Sequence, residues 1–265
     1  MISIVCVYND DKTVRELLLK SLEKQTVPYE LIKIDNTDNH FASAAEALNY
    51  GGDRAKGDYI MFVHQDVSLL SDTWLAEAEN ILNGLPGLGI AGVAGAADER
   101  GVIGNLEQGV LPKRAWSTPI KSPERVQTLD ECLVIVPKKM FDGMQFDAKT
   151  CNGWHLYAVD YCLSCLEAGH NAYALPLETY HRSDGMSIGN GPRASIILKL
   201  GLSYTAYPRD YYRVLKAVLH KHKEAGSIYT TCGIWKTGYP LSLQKSVLLE
   251  LLKYPWRRIR RRARK

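Results

Sequence analysis

The 265-residue chain predicts an α/β fold: a Rossmann-like, mainly parallel sheet flanked by helices, followed by a helical C-terminal extension. Three observations carry this. Short apolar runs (Ile2–Tyr8, Leu31–Ile34, Tyr59–Val63, Ile90–Gly95) are too brief for ordinary helices and alternate with amphipathic stretches of helical period. Their connections are short, and strand–helix–strand order with short loops gives parallel strands joined by right-handed crossovers. The segments that end these strands are polar or acidic: Asn9-Asp10, Asp35-Asn36 and His64-Gln65-Asp66. In an open parallel sheet those carboxyl ends are where ligands bind.

The elements follow in order. Ile2–Tyr8 is the first strand, and Asn9-Asp10-Asp11 supplies a turn and a helix cap. Between Lys12 and Gln25, Val14, Leu17, Leu18 and Leu22 share one helical face, and Val27-Pro28 stops the helix. Leu31–Ile34 is the second strand. Phe41, Ala44, Ala45 and Leu48 are spaced for a helix of small residues that ends near Gly51-Gly52. Tyr59–Val63 is a strand buried on both faces, entered through Gly57-Asp58. Ser71 is placed to cap a helix carrying Trp74, Leu75, Ala78, Ile81 and Leu82, stopped by Gly84, and Ile90–Gly95 is a short strand.

From Asp98 to Glu131 the pattern is irregular and reads as an excursion over the sheet edge. A buried strand then resumes over Leu129–Pro137. Trp154-His155 leads into a helix through Leu163 and Leu166, ended by Gly169. Asn171–Leu175 is a strand, and Tyr180–Gly185 a polar loop. Beyond Arg193 the pattern is helical. This divides the chain into a ligand-binding domain, residues 1–185, and an extension, residues 186–265, with a basic tail.

An apolar content of 46% suits a sizeable core. Met1 leads directly into a strand and no run approaches the roughly 20 apolar residues of a membrane span, so a cytoplasmic protein is expected. The six cysteines are scattered and mostly in apolar segments. Cys162 and Cys165 lie inside a helical pattern with no second pair at zinc-site spacing, which favours reduced core thiols. The net charge of +4 conceals an asymmetry: eight basic residues and no acid fall between Lys253 and Lys265, leaving a net acidic body.

The chemistry concentrates after the third strand. Residues i and i+2 of a strand point the same way, so His64 and Asp66 can face one ligand together, against the plainer reading of a polar strand end. No Gly-x-Gly-x-x-Gly or Walker loop follows the first strand, so phosphates facing these acids would need a divalent cation.

The ordered set Ile2–Asn9, Ile34–Asp38, Asp53–Val67 and Trp154–Gly169 resembles the family 2 glycosyltransferases, which have the GT-A fold. It is most similar to a subgroup with His-Gln-Asp in place of the metal-binding DxD motif. The resemblance spans roughly residues 1 to 185. It implies an inverting transferase moving a sugar from a nucleotide-sugar donor, UDP-linked before GDP- or dTDP-linked, to a glycan or lipid-linked acceptor in polysaccharide biosynthesis. Asp66 and His64 would hold the metal, with His181 supplying a further ligand. Imidazole favours manganese over magnesium. Tyr8, Asn9 and Asp35 would line the base and ribose, with Asp66 reaching the donor through the metal. Trp154 and His155 would receive the acceptor, Trp154 as a flat face for a pyranose ring. Asp160 would be the general base.

The segment from Ser246 joins a short apolar helix, Trp256 and clustered arginines, which suits peripheral contact with an anionic membrane at its inner face. Nucleic acid is not an expected partner, because the body is acidic. Two rivals stay open: a non-catalytic GT-A module that binds sugar nucleotide or glycan, and a nucleotidyltransferase. Asn9-Asp10-Asp11 is unlike the Gly-rich basic loop the latter needs.

Overall fold

The computed structural model describes residues 1–115, 117–182 and 209–244. The expected division at residues 185/186 and the basic tail lie outside them.

The expected α/β architecture is present. Seven strands form the central sheet: β1 (Ile2–Tyr8), β2 (Tyr29–Asp35), β3 (Tyr59–Val63), β5 (Leu88–Gly92), β10 (Glu124–Val126), β12 (Leu133–Pro137) and β13 (Asn171–Ala174). Their order is β10-β13-β5-β12-β3-β1-β2. The pairings β1–β2, β1–β3 and β5–β13 are parallel, whereas β12 runs antiparallel between β3 and β5, and β10 antiparallel to β13. Five strands therefore share one direction, with β10 and β12 reversed.

Strand alternation sorts the core into two layers. Val5, Ile60, Phe62, Val134 and Val136 face α3 (Ala44–Gly52), α6 (Tyr157–Glu167) and α7 (Arg209–Lys221). Ile4, Cys6, Met61, Val63, Leu133 and Ile135 face the opposite layer, which holds α1 (Asp11–Val14), α2 (Lys20–Leu22) and α4 (Trp74–Asn83). Cys162 and Cys165 are buried in the first layer, as core thiols.

Several local expectations change. Between α1 and α2 the helix widens to π-type turns over Arg15–Leu19. α3 ends at Gly52, as expected, with Gly51 and Gly52 inside its last turn. A Cβ at either would run into the Val5 or Phe141 side chain, so they let the helix lie close on β1. Ser71 is not the cap of α4; Thr73 holds that position, and Ser71 Oγ accepts its N–H at 3.1 Å. Past Val93 the expected strand continues as a separate one, β6 (Ala94–Ala96).

The excursion builds small sheets. β4 (Val67–Leu69), β14 (Thr179–His181), β8 (Leu106–Gln108) and β9 (Lys113–Arg114) pair in the order β4-β14-β8-β9, and β6 pairs between β11 (Thr128–Leu129) and β7 (Val102–Gly104); α5 (Lys138–Gly143) follows β12. Tyr180 and His181, expected in a loop, are thus strand residues. In the C-terminal part α7 is followed by a hairpin, β15 (Ser227–Thr230) and β16 (Gly233–Lys236), rather than by helix alone. Tyr211, Val214, Leu215, Val218, Ile228 and Trp235 from these elements join the first core layer. No helix among the described residues is long and apolar enough to cross a membrane.

Candidate active site

A cavity of about 560 Å³ opens at the carboxyl ends of β1 and β3. Its walls come from the end of β1, the segment after β3, β14, the loop before α6, the residues leading into β12, and the tip of the β15–β16 hairpin. Of the residues expected from sequence, Tyr8, Asn9, His64, Asp66, Trp154, His155 and His181 line it.

Strand pairing assembles the acid–histidine group. The register His181↔Val67 lays β14 beside the end of the Asp66 segment, and Arg182 N–H donates to the Asp66 carbonyl at 2.9 Å. His181 Nε2 lies 3.2 Å from Asp66 Oδ1, and its buried Nδ1 has no hydrogen-bond partner among the described residues. The Tyr157 hydroxyl donates to the Glu131 carbonyl at 2.9 Å. His64 Nε2, 3.2 Å from that hydroxyl, must then donate to it, which leaves Nδ1 as the lone-pair nitrogen. Burial, and then the neighbouring His181, push the His64 pKa down to about 4, so His64 is neutral near pH 7. For His181, burial acts to lower the pKa but Asp66 outweighs it, and the net shift is upward. Burial works to raise Asp66, and the bond from His181 reverses it, holding the carboxylate below its usual range.

Ligand atoms of His64, Asp66 and His181 lie within 4.8 Å of one another. Bonds of roughly 2.1 Å could gather such a set around one divalent cation with small shifts. An unpartnered buried imidazole nitrogen and a carboxylate fit that use. Asp130, Cys132 and His181 lie equally near one another. However, burial keeps the Cys132 thiol protonated well above its usual range, and the thiolate is the ligating form.

Gln65, the middle residue of the motif, ties two strand ends together. Its Oε1 accepts the N–H groups of Asn9 and Asp10 at 3.0 Å, and its Nε2 donates to Asn9 Oδ1 at 2.7 Å. Asp10 caps α1 by accepting from Lys12 N and Thr13 N. Asp35 is exposed at the end of β2, where it accepts from the Tyr8 hydroxyl at 3.2 Å and from Thr37 N at 2.9 Å. Its neighbour Asn36, rather than Asp35, lines the cavity. On the opposite wall Trp154 is 40% exposed, and the His155 ring meets Tyr211 edge-on at 5.8 Å. Burial lowers the His155 pKa.

Asp160 is not in the cavity. It is 1% exposed, with Oδ1 2.9 Å from His222 Nε2 and Oδ2 2.8 Å from Lys221 Nζ. His222 Nδ1 in turn lies 2.6 Å from Glu167, and Lys221 also reaches Asp147 at 3.0 Å. Placed one turn into α6, the carboxylate faces the end of α7 and is committed to Lys221 and His222. This placement corrects the expectation of a base open to an acceptor.

The carboxylates that do line the cavity besides Asp66 are Asp130 and Glu131. Asp130 accepts from Cys132 N at 3.1 Å and from Thr231 Oγ1 at 3.0 Å. Glu131 stands at the start of α6, accepting Ala158 N–H at 3.4 Å. Neither was singled out from sequence as a first choice, and Gln65, Tyr157 and Thr231 were not singled out at all. The acid pair opening the β12 run was the one available signal.

Comparison with known proteins bears on the fold. Structures with similar folds include Staphylococcus aureus TarS residues 1–349 in complex with UDP-GlcNAc (15% identity, TM-score 0.55, covering 82% of this chain and 65% of that one). GalNAc-T7 with UDP, GalNAc and Mn2+ matches at 13% identity and TM-score 0.55, over 83% of this chain and 48% of its own. The mannosyltransferase PcManGT of Pyrobaculum calidifontis, with GDP-Man and Mn2+, matches at 14% identity and TM-score 0.52, over 96% and 87%. The chain thus spans less than two thirds of the TarS fragment and about half of GalNAc-T7. In sequence, "ATP synthase subunits region ORF 6" of Fuscovulum blasticum is 26% identical over 196 residues, 67% of this chain and 74% of that protein. The sheet and its flanking helices are those of the GT-A glycosyltransferases. The sequence profile described as "Glycosyltransferase like family" matches residues 2–179, and the chain belongs to that family.

Proposed function

We propose that this protein is an inverting glycosyltransferase that moves a sugar from a nucleotide-sugar donor to a glycan or lipid-linked acceptor, with help from a divalent cation. One observation carries the reading: His64, Asp66 and His181, the nucleotide-side residues Tyr8 and Asn9, and the aromatic wall at Trp154 and His155 share one cavity. The His-Gln-Asp sequence then acts as a variant of DxD. Asp66 and the two histidines would hold the cation, manganese before magnesium because imidazole is the softer donor. When bound, it would offset charge on the departing diphosphate as a Lewis acid.

The chain's own residues do the rest. Gln65 fixes the Asn9 loop against the end of β3, so the nucleotide wall and the acid–histidine group keep their spacing. Tyr8, Asn36 and the rim residue Asp35 would hold base and ribose. Trp154 would stack on the acceptor ring. A UDP-linked donor comes before a GDP-linked one in this proposal, although relatives of this fold hold either. Residues 1–185 are the nucleotide-sugar-binding unit of this proposal and residues 186–265 an extension that also supplies Thr230, Thr231 and Cys232 to the cavity wall; action at the inner membrane face from the cytoplasm through the basic tail is part of the same proposal.

The test is a panel of UDP- and GDP-sugars assayed for binding, hydrolysis and transfer with Mn2+, Mg2+ or chelator. Manganese-dependent binding with turnover is expected. No donor binding with Mn2+ overturns the proposal, whereas binding without turnover points to a non-catalytic sugar-nucleotide module.

A further inference from the structure

We propose that Glu131 is the general base of this site, a role the helix residue Asp160 does not fill. The inference rests on the proposed transfer reaction. It begins from the carboxylates of the cavity wall, Asp66, Asp130 and Glu131. Asp66 is engaged by His181, and Asp130 by Thr231 and a backbone N–H. Hydrogen bonds and positive neighbours lower a carboxylate's basicity. Glu131 takes backbone N–H groups at the start of α6, Ala158 at 3.4 Å with those of Tyr157 and Leu156 beside it, and no side-chain donor among the described residues, so no charged or hydroxyl partner holds it.

Its position suits the role. Glu131 meets the first turn of α6, directly after Trp154 and His155, so base and sugar platform share a wall. The backbone there is unusual. Leu156 has φ +68°, a left-handed conformation costly for a residue with a branched side chain, and no side chain of its own segment caps α6. Glu131 reaches across from the β12 segment to take the cap instead. The titratable groups around it are Asp130 and Cys132, Tyr157 and Cys162 of α6, Cys151, and Cys232 of the hairpin. Burial keeps the thiols and the phenol protonated, so Asp130 is the charged neighbour. Burial first, and then Asp130, push Glu131 up to about 8, close to a working pH and more basic than an exposed acid.

The step balances as follows. The acceptor hydroxyl oxygen forms a bond to the anomeric carbon as its proton passes to the Glu131 carboxylate. The bond from that carbon to the diphosphate oxygen breaks, and its electron pair leaves with the nucleoside diphosphate. Attack opposite the leaving group inverts the anomeric configuration. Glu131 then returns its proton to solvent.

The test uses the full chain with Glu131→Gln, which keeps an acceptor for Ala158 N–H, and Glu131→Asp, which keeps an acid on a shorter arm. Calorimetry with UDP or GDP plus Mn2+ reads binding, and single-turnover transfer or hydrolysis of the donor that the wild type uses reads chemistry. Glu131→Gln should melt near wild type, bind nucleotide within a few-fold, and lose at least ~10²-fold in turnover. Glu131→Asp should stay active with a shifted rising limb in its pH–rate profile. Near-normal turnover in Glu131→Gln overturns the assignment and leaves Glu131 a helix cap. Should Glu131→Gln fail to fold, an unshifted limb and wild-type rate in Glu131→Asp overturn it equally. A wild type that neither binds nor turns over any donor overturns the transferase reading itself.

Discussion

The molecule contains two acid–histidine pairs of nearly the same composition and opposite fate. Asp66–His181, at 3.2 Å, sits on the cavity wall with Asp66 a quarter exposed, a second histidine close by and a ring nitrogen without a partner among the described residues. Asp160–His222, at 2.9 Å, is sealed between α6 and the end of α7, and both ring nitrogens and both carboxylate oxygens are engaged. A satisfied buried pair fixes the packing of two helices, and an incomplete pair at a cavity has capacity left for a ligand. The difference lies in which valences remain, not in the residue types.

The largest effect should come from breaking the open pair. Asp66→Ala removes the carboxylate of the proposed metal group from a partly exposed site. Turnover should fall ~10²–10³-fold, the scale for losing one strong electrostatic contributor, while folding stability falls by less than at the sealed pair, because Asp66 is a quarter exposed. Mn2+ should no longer raise the melting temperature. A wild type that binds donor equally well in excess chelator would contradict the open pair's role.

Breaking the sealed pair should do the reverse. Asp160→Asn leaves Lys221 and His222 facing a neutral amide in a buried site, and loss of one partner there costs about 3–5 kcal/mol. Denaturant unfolding should show that loss, with turnover per folded molecule near wild type. A stable but inactive Asp160→Asn would return the base role to Asp160 and remove the contrast.

These two outcomes bear on what the sequence made legible. The sheet could be read because its strands are buried on both faces and appear as unbroken apolar runs, such as Tyr59–Val63. His64 and Asp66 could be read as a histidine and an acid at the end of a buried strand, but strand alternation is not what pairs them: β3 stops at Val63, and the segment up to Val67 is a turn in which Val67 N–H donates to the His64 carbonyl at 3.4 Å. The role of Asp160 could not, because its partners at 221 and 222 lie about sixty residues away in the chain. An acid at a helix start looks the same whether it meets solvent or a buried lysine. Glu131 was obscured by the apolar strand that follows it. The hairpin tip at Thr231 was missed because the C-terminal pattern read as helical, and two strands of four residues leave little periodicity to find.

A smaller effect should separate the pairs by pH. Burial opposes protonation of His222, but Asp160 and Glu167 outweigh it and raise its folded pKa above the usual 6.5. A raised histidine contributes stability that is fully present below the unfolded pKa and lost as pH rises through the folded one. Wild-type melting temperature should therefore decline as pH is taken upward from about 6, and His222→Gln should flatten that decline. If both proteins follow parallel curves, His222 is not held protonated by its acids.

The smallest expected effect concerns His64. Its Nε2 is committed to the Tyr157 hydroxyl, whose own proton goes to the Glu131 carbonyl, so the imidazole is held in one tautomer with Nδ1 as the available donor. Burial keeps that donor neutral at working pH, adding a ligand without adding charge. His64→Asp would replace a soft neutral ligand with a hard anionic one on a shorter arm and give up the bond to Tyr157. Two negative ligands suit a smaller, harder cation, so the preference for Mn2+ over Mg2+ should narrow by a few-fold while donor binding survives. Tyr157→Phe makes the complementary test: it retains imidazole but releases its tautomer, and should weaken Mn2+ binding with no change in metal preference. The measurement is donor affinity at matched Mn2+ and Mg2+ concentrations for the three proteins. An unchanged Mn2+/Mg2+ ratio in His64→Asp would place His64 outside the ligand set and leave Asp66 and His181 to hold the ion.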